Sequence, residues 1–280
     1  CKVFPCDRIS KLIEIQHHKA HFASVLGEHD LFASKEKILG VIWDGTGLGE
    51  DNTIWGGEFF TYHNKNMVRL THFEYYDWIA NDKMAKEPRL ALFSLLDGQF
   101  LELIKRKFSE TEWDIYSKAI KTNSLKTSSV GRLFDAVSSA LDIVDINTFE
   151  AEAAMQLENY AHTYSKNYYI DFLDGEDYDK IPSKKIIQAL SKAYQEGFCK
   201  ERLAYSFIYT LAKCIIRIAR INQIMTIACS GGVFQNALLV SILSQMAKRE
   251  KIDLKLNCKL PVNDENISYG QFMYQQNIKN

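Results

Sequence analysis

ILGVIWDGTGLGEDNTIWGGEFFTY, running from Ile38 to Tyr62, is the stretch that sets the architecture. ILGVIW (Ile38–Trp43) is a short, bulky apolar run without helical spacing, the pattern of a buried strand. Asp44 to Asn52 carries Gly45, Gly47 and Gly49 in alternation and reads as a glycine-rich turn. Thr53 to Tyr62 returns as a second strand, closing a hairpin, and Val68 to Phe73 adds a third. Only 14 glycines occur in 280 residues, and they gather at 45–49, 56–57 and 231–232. Clusters of that kind mark places where backbone turns sharply or approaches a ligand.

Outward from this hairpin the chain alternates. His17 to Phe32 reads as a helix, Met84 to Lys121 as several helices, and Ser128 to Leu141 and Glu150 to Ser165 as two more. Asn167 to Ser183 is irregular and acidic. Lys184–Tyr194 and Glu201–Ile221 are helical. The end of the chain reads as a strand (Ile224–Cys229), a Ser-Gly-Gly turn, a helix from about Phe234 to Lys248, a strand (Ile252–Leu256) and a closing helix (Ile267–Asn277). The pattern predicts an α/β protein with two lobes.

Composition narrows the function. Lys+Arg is 34 and Asp+Glu is 35, giving a net charge of -1, which argues against broad nucleic-acid binding. No stretch approaches the ~20 apolar residues of a membrane span; Leu211–Ile221 is short and broken by Lys213, Arg217 and Arg220. The cysteines, Cys1, Cys6, Cys199, Cys214, Cys229 and Cys258, form no C-x-x-C pair. Free thiols in a reducing compartment, the cytoplasm, are expected. A chain that begins at Cys1, without Met, reads as a piece of a longer one.

Four constellations carry candidate chemistry. In Gln16-His17-His18-Lys19-Ala20-His21, His17 and His21 stand at i and i+4 on one helix face, a spacing that grips a metal ion; the alternative is a solvated face with surface histidines. Asp44-Gly45-Thr46-Gly47 places a carboxylate and backbone N–H groups where actin-like and sugar-kinase-like ATPases hold phosphate; a long hairpin loop is the alternative. Cys229-Ser230-Gly231-Gly232 leads into a helix, a setting for a nucleotide or only a tight connection. Asp264, in Pro261-Val262-Asn263-Asp264, is a further ligand candidate or simple turn chemistry. Asp135 reads first as a helix-surface acid. Cys229 reads as a packed strand residue rather than a nucleophile.

As a set these residues resemble a known family. QHHKAH (Gln16–His21), DGTGLGEDNTIWGGEFF (Asp44–Phe60), KEPR (Lys86–Arg89), TSSVGRLFDAV (Thr127–Val137), EAEAAMQLE (Glu150–Glu158), SGGVFQN (Ser230–Asn236) and PVNDENISYGQ (Pro261–Gln271) occur in this order. Together they resemble the C-terminal region of the hydrogenase-maturation carbamoyltransferases, HypF. The resemblance implies a two-lobed actin/sugar-kinase-like (ASKHA) fold. Residues 1–126 would be the first lobe, with a helical insertion, and 127–280 the second, nucleotide-binding lobe. It begins part-way into the transferase domain, so the first lobe is expected to be incomplete at its N-terminus and to expose a sheet edge.

The resemblance also implies roles. His17, His21, Asp44 and Asp264 would be ligands of a divalent metal, with iron or zinc suited to that donor set better than magnesium. Gly45, Thr46 and Gly47 would lie at the phosphate of ATP, AMP or carbamoyl adenylate. Asp135, Glu150, Gly231, Gly232 and Asn236 would surround the ribose and base. Asp44 and Arg89 would be catalytic. The implied reaction passes a carbamoyl group from carbamoyl adenylate, made by a YrdC-like domain, to the C-terminal cysteine thiol of a HypE-like partner, on the way to a cyanide ligand of [NiFe]-hydrogenase. Other acceptors are a small-molecule hydroxyl or tRNA, and a third reading is a truncated, inactive nucleotide-binding relative.

The chain departs from the family pattern at four places. Lys19 replaces a third histidine, and Glu265-Asn266 replace two glycines. Ala151 and Glu152 stand in a Glu-Gly-Gln-Ala-Ala segment, and Ser206-Phe207-Ile208 replace Arg-Phe-His.

Overall fold

The computed structural model describes residues 13–165 and 168–278. Cys1, Cys6 and the Cys1 start lie outside them. In chain order the helices are α1 (His17–Glu28), α2 (Lys83–Lys86), α3 (Pro88–Leu95), α4 (Leu101–Lys105), α5 (Glu110–Thr122), α6 (Val130–Ala140), α7 (Glu152–His162), α8 (Ser183–Gln195), α9 (Lys200–Ile221), α10 (Ala237–Arg249) and α11 (Ile267–Asn277). The strands are β1 (Ile38–Leu48), β2 (Ile54–His63), β3 (Asn66–His72), β4 (Tyr76–Asp77), β5 (Lys126–Thr127), β6 (Thr226–Ser230) and β7 (Asp253–Leu256). They form one mixed sheet in the order β4-β5-β2-β1-β6-β7, with β3 beside β2.

Period-two alternation assigns the two faces of β1 to different cores. Ile38 and Ile42 pack with Phe22, Val25 and Leu26 of α1, while Leu39, Val41 and Trp43 join the larger cluster beneath α3, α6, α8 and α9. Gly40 belongs to neither, because a Cβ there would lie 2.6 Å from the Phe22 ring. Full burial on both sides explains why ILGVIW carries no polar residue.

The sheet does not divide at 126/127, where two lobes were expected. β1 pairs in parallel with β6 from Ile38–Thr226 to Ile42–Ser230, and Ile54 of β2 pairs with Thr127 of β5. The larger apolar cluster likewise runs from Leu39 to Ile252. β1 is a central strand whose two backbone edges are paired, by β2 on one side and by β6 from the far end of the chain on the other.

The glycine-rich segment is also more ordered than a turn. β1 continues to Leu48, with the register broken between the Trp43–Gly57 and Gly47–Trp55 pairs. Asp44, Gly45 and Thr46 stand opposite Gly56 alone, a bulge that throws them out of the ladder. The parallel β1–β6 ladder ends at Ile42 and Ser230, so Asp44 and Gly231 stand just past it, and candidate site residues collect there.

The other departures are absorbed by the packing. The Ser206 hydroxyl accepts the N–H of Ile170 at 2.9 Å, and Phe207 meets Phe134 edge-on at 5.0 Å. Lys19 pairs with Glu50. Among the described residues no helix is long and apolar enough to cross a membrane.

Candidate functional site

α1 is pinned at its start. The Gln16 side chain accepts the N–H of Lys19 at 2.9 Å, capping the helix, and donates to the Leu48 carbonyl at 3.0 Å. That second bond fixes the helix against the end of β1. His17 and His21 then rise on one face, their rings 4.8 Å apart. His17 Nε2 lies 3.1 Å from Asp44 Oδ2 and 3.5 Å from Asp264 Oδ1, and His21 Nε2 lies 3.3 Å from each of the same two oxygens. One ligand atom from each of the four residues falls within 4.8 Å of the others. The helix periodicity, the β1 bulge and the loop before α11 thus converge on one point.

The electrostatics suit a cation. Burial pushes the Asp44 carboxyl up, but the hydrogen bond to His17 and the close contact with His21 and its charge outweigh it and hold Asp44 far below the usual carboxylate range. Burial likewise lowers His21, yet the carboxylates of Asp264 and Asp44 raise it to about 9. His21 Nε2 is buried and has no well-formed hydrogen bond, although two carboxylate oxygens face it. Two imidazoles and two carboxylates around an unsatisfied nitrogen fit a divalent ion with mixed nitrogen and oxygen preference. His18, between them in sequence, points elsewhere; it accepts from Gln16 at 2.9 Å, and burial, then repulsion from His17, keeps it neutral.

Asp44 also belongs to a second feature. Its Oδ1 accepts the N–H groups of Gly45 at 2.8 Å and Gly232 at 3.3 Å. Both glycines line a cavity of about 680 Å³. Thr46, Asp135, Glu150 and Asn236 line it as well, together with Lys86, Arg132, Phe149, Ala151 and Met155, to which the sequence assigned no site role. The α6 N-terminus reaches the cavity because Ser129 caps it and donates to the Gly45 carbonyl at 2.7 Å. Gly131 allows that approach, since a Cβ there would sit 2.9 Å from Gly45 Cα. A helix N-terminus beside exposed backbone favours an anion.

Asp135 is not the surface acid that its helix position suggested. It is 1% exposed, and burial raises its carboxyl to about 6, with Arg132 only partly opposing. Arg132 Nε lies 2.8 Å from Asp135 Oδ2, but neither atom has a well-formed hydrogen bond. The pair is close without being aligned, which is why it does not cancel the cost of burial.

Three expected site residues sit elsewhere. Gly47 does not line the cavity; it lies under α1, where a Cβ would come within 2.5 Å of the His18 ring. Gly231 shapes the β6 turn instead, with φ of 105° and room for no Cβ, the nearest atom being Trp43 O at 2.2 Å. Arg89 is the clearest correction. Its guanidinium is held by Glu87 at 2.9 Å, Glu112 at 2.6 Å and the Lys107 carbonyl at 2.6 Å, and it does not reach the cavity. The lone cation that KEPR contributes to the cavity wall is Lys86. Cys229 is wholly buried with its thiol pushed up by that burial, so it is no nucleophile.

A family profile described as carbamoyltransferase, Kae1-like domain, second subdomain, matches residues 40–271. The chain is 30% identical over 282 residues to the carbamoyltransferase HypF of Synechocystis sp., covering 92% of this chain and 36% of that protein. It is 31% identical over 268 residues to the HypF of Rhodobacter capsulatus, covering 93% and 35%. The crystal structure of full-length HypF in the phosphate- and nucleotide-bound form matches with a TM-score of 0.82 at 31% identity, over 94% of this chain and 42% of that one. The structure of T. kodakarensis HypF matches with a TM-score of 0.79 at 25% identity, over 96% and 37%. The chain spans about a third of the length of these curated relatives.

Proposed function

Because the chain belongs to the family of carbamoyltransferase Kae1-like domains of the HypF type, we propose that it passes a carbamoyl group from carbamoyl adenylate to the C-terminal cysteine thiol of a HypE-like partner. In this reading His17, His21, Asp44 and Asp264 hold a divalent ion, iron or zinc in preference to magnesium. The ion supplies positive charge beside the departing adenylate phosphate.

The chain's own groups do the rest. Gly45, Thr46 and Gly232 present backbone to the phosphate, with the α6 N-terminus behind them. Asp135, Glu150 and Asn236 face the ribose, and Phe149 and Met155 give the base an apolar wall. Arg132 and Lys86 bring cationic side chains to the cavity. Holding the adenylate fixed lets an incoming thiol meet the carbamoyl carbon in a defined geometry. Among the described residues the buried thiols, Cys214 and Cys229, are pushed up by burial and unfitted to that attack, in keeping with a nucleophile that comes from the partner. Synthesis of the carbamoyl adenylate is assigned to a YrdC-like unit outside these 280 residues, and the setting to the cytoplasm, through the same kinship.

The observation that carries the reading is the division of labour within one carboxylate. Asp44 Oδ2 faces the two histidines while Oδ1 faces two amides of the cavity wall, so metal and nucleotide sites share a residue. Metal content after anaerobic purification, for the parent and for His21→Ala, tests the first half. About one ion per chain, lost in the variant, is expected; equal metal in both sinks the ligand set. Supplied carbamoyl adenylate with a cysteine-ending peptide tests the second half. AMP release that needs the peptide supports the reading, and release indifferent to the peptide refutes the acceptor.

A further inference from the structure

Asn266 lies two residues beyond Asp264 and is wholly buried. Its side-chain nitrogen is 2.9 Å from the Pro261 carbonyl, 3.1 Å from Ser230 Oγ and 3.3 Å from Asn257 Oδ1. Its side-chain oxygen is 2.9 Å from His21 Nδ1. The orientation of this amide is not arbitrary. A carbonyl oxygen only accepts, so the nitrogen must be the end that faces Pro261.

Asn257 is fixed in the same way from the other side. Its nitrogen donates at 3.0 Å to Glu28 Oε2, and the Glu28 carboxylate also accepts the N–H groups of Cys258 at 2.7 Å and Lys259 at 2.6 Å. Asn257 Oδ1 is therefore the atom turned to Ser230, at 2.8 Å, and to Asn266. Two groups that can only accept, the Pro261 carbonyl and the Glu28 carboxylate, thus determine both amides independently. An oxygen at His21 Nδ1 requires a hydrogen on that nitrogen, which in the neutral imidazole, the form that binds a cation, leaves the lone pair on Nε2. Nε2 is the atom that faces Asp44 and Asp264.

We propose that Asn266 is a positioning residue: it keeps the His21 proton on Nδ1 so that Nε2 presents its lone pair to the cation shared with His17, Asp44 and Asp264. Glu28 and Asn257 form the outer end of the relay. The arrangement is a carboxylate–histidine pairing of the kind that orients metal-bound imidazoles, lengthened by two amides. The inference rests on the metal reading above and deepens it to a ligand atom and a tautomer.

Zn²⁺ is the probe, added to ¹⁵N-histidine-labelled protein, with the His21 signals identified by their loss in His21→Ala. In the zinc-loaded parent we expect a protected Nδ1–H on His21 and a zinc-shifted Nε2. Competition with a chromophoric chelator should show Asn266→Ala binding zinc about 10- to 100-fold more weakly, with the protected Nδ1–H gone. Zinc bound through His21 Nδ1 overturns the proposal without any variant. So does an Asn266→Ala protein that folds and binds zinc as tightly as the parent. If the parent binds no zinc, the metal reading fails by itself. Metal-free protein, taken to a pH where His21 is neutral, then decides the tautomer: Nδ1–H supports the role of Asn266 and Nε2–H refutes it.

Discussion

Asp135→Asn should make the protein more stable and less functional. The carboxyl is closed off from solvent, and burial raises it from an ordinary 3.8 to about 6. The folded protein therefore favours the neutral acid and holds a proton that the unfolded chain releases. The associated stability is fully present below about pH 3.8 and is lost as pH rises through about 6. At about 1.4 kcal/mol per pH unit, that interval amounts to roughly 3 kcal/mol. Asparagine is a neutral carboxamide of nearly the same shape and has no proton to lose. Arg132 lines the cavity, so the substitution does not strand its charge in the core. The assay is urea unfolding of both proteins from pH 4 to pH 8. The variant should match the parent near pH 4 and exceed it by about 2–3 kcal/mol at pH 7. Other titrating groups, Glu58 among them, are common to both proteins and cancel in the difference. AMP affinity should fall at the same time, because the carboxylate is a ribose acceptor in the proposed reading. Stability curves that run parallel across the whole range would refute the argument.

Three further substitutions separate structure from function. Arg89→Met removes a guanidinium shared by Glu87, Glu112 and a carbonyl and should cost about 2–3 kcal/mol in urea unfolding with metal and AMP affinities unchanged; a tenfold loss of AMP affinity at unaltered stability would restore Arg89 to the site. Gly231→Ala forces a Cβ to 2.2 Å from Trp43 O at φ of 105° and should cost about 3 kcal/mol or more, read as a lowered melting temperature or lost soluble yield; a variant as stable as the parent would contradict the β6 turn geometry. Ala151→Gly relieves a non-glycine residue at φ of 60° on the cavity wall and should add about 0.5–1 kcal/mol, the left-handed strain less the extra entropy of glycine; a drop in stability would show that Ala151 carries packing the backbone conformation does not reveal.

Local pattern carried much of the fold. The bounds of α11 follow its sequence run, and ILGVIW is a strand buried on both faces, as an unbroken apolar run demands. The continuation of β1 through Gly45 and Gly47 was not legible, because alternating glycines read as a turn. No glycine from 45 to 49 has positive φ. Gly47 and Gly49 are there for space, beneath His18 and against Trp55, and space is a property of neighbours, not of the segment. The pairing of strands across 126/127 was hidden for the same reason. Nothing near Ile38 announces that its partner is Thr226.

The site divides along the same line. The ligand set could be proposed from sequence because each member has a local signature: an i, i+4 histidine pair, an acid at a strand end, an acid in a loop after a strand. Arg89 was misplaced because its neighbours in KEPR do not disclose Glu112, which claims it from another helix. Asn266 was seen only as a departure from a glycine pair, since its contact with His21 joins residues 245 positions apart. Signatures identify which side chains have the chemistry for a cation. The groups that decide which atom of His21 faces that cation are read only from long-range hydrogen bonds, each forced by an acceptor that cannot donate. A sequence can therefore offer a candidate ligand well before it can give that residue's tautomer, and in the proposed reading it is the tautomer that would determine whether His21 met an ion with a lone pair or with a proton.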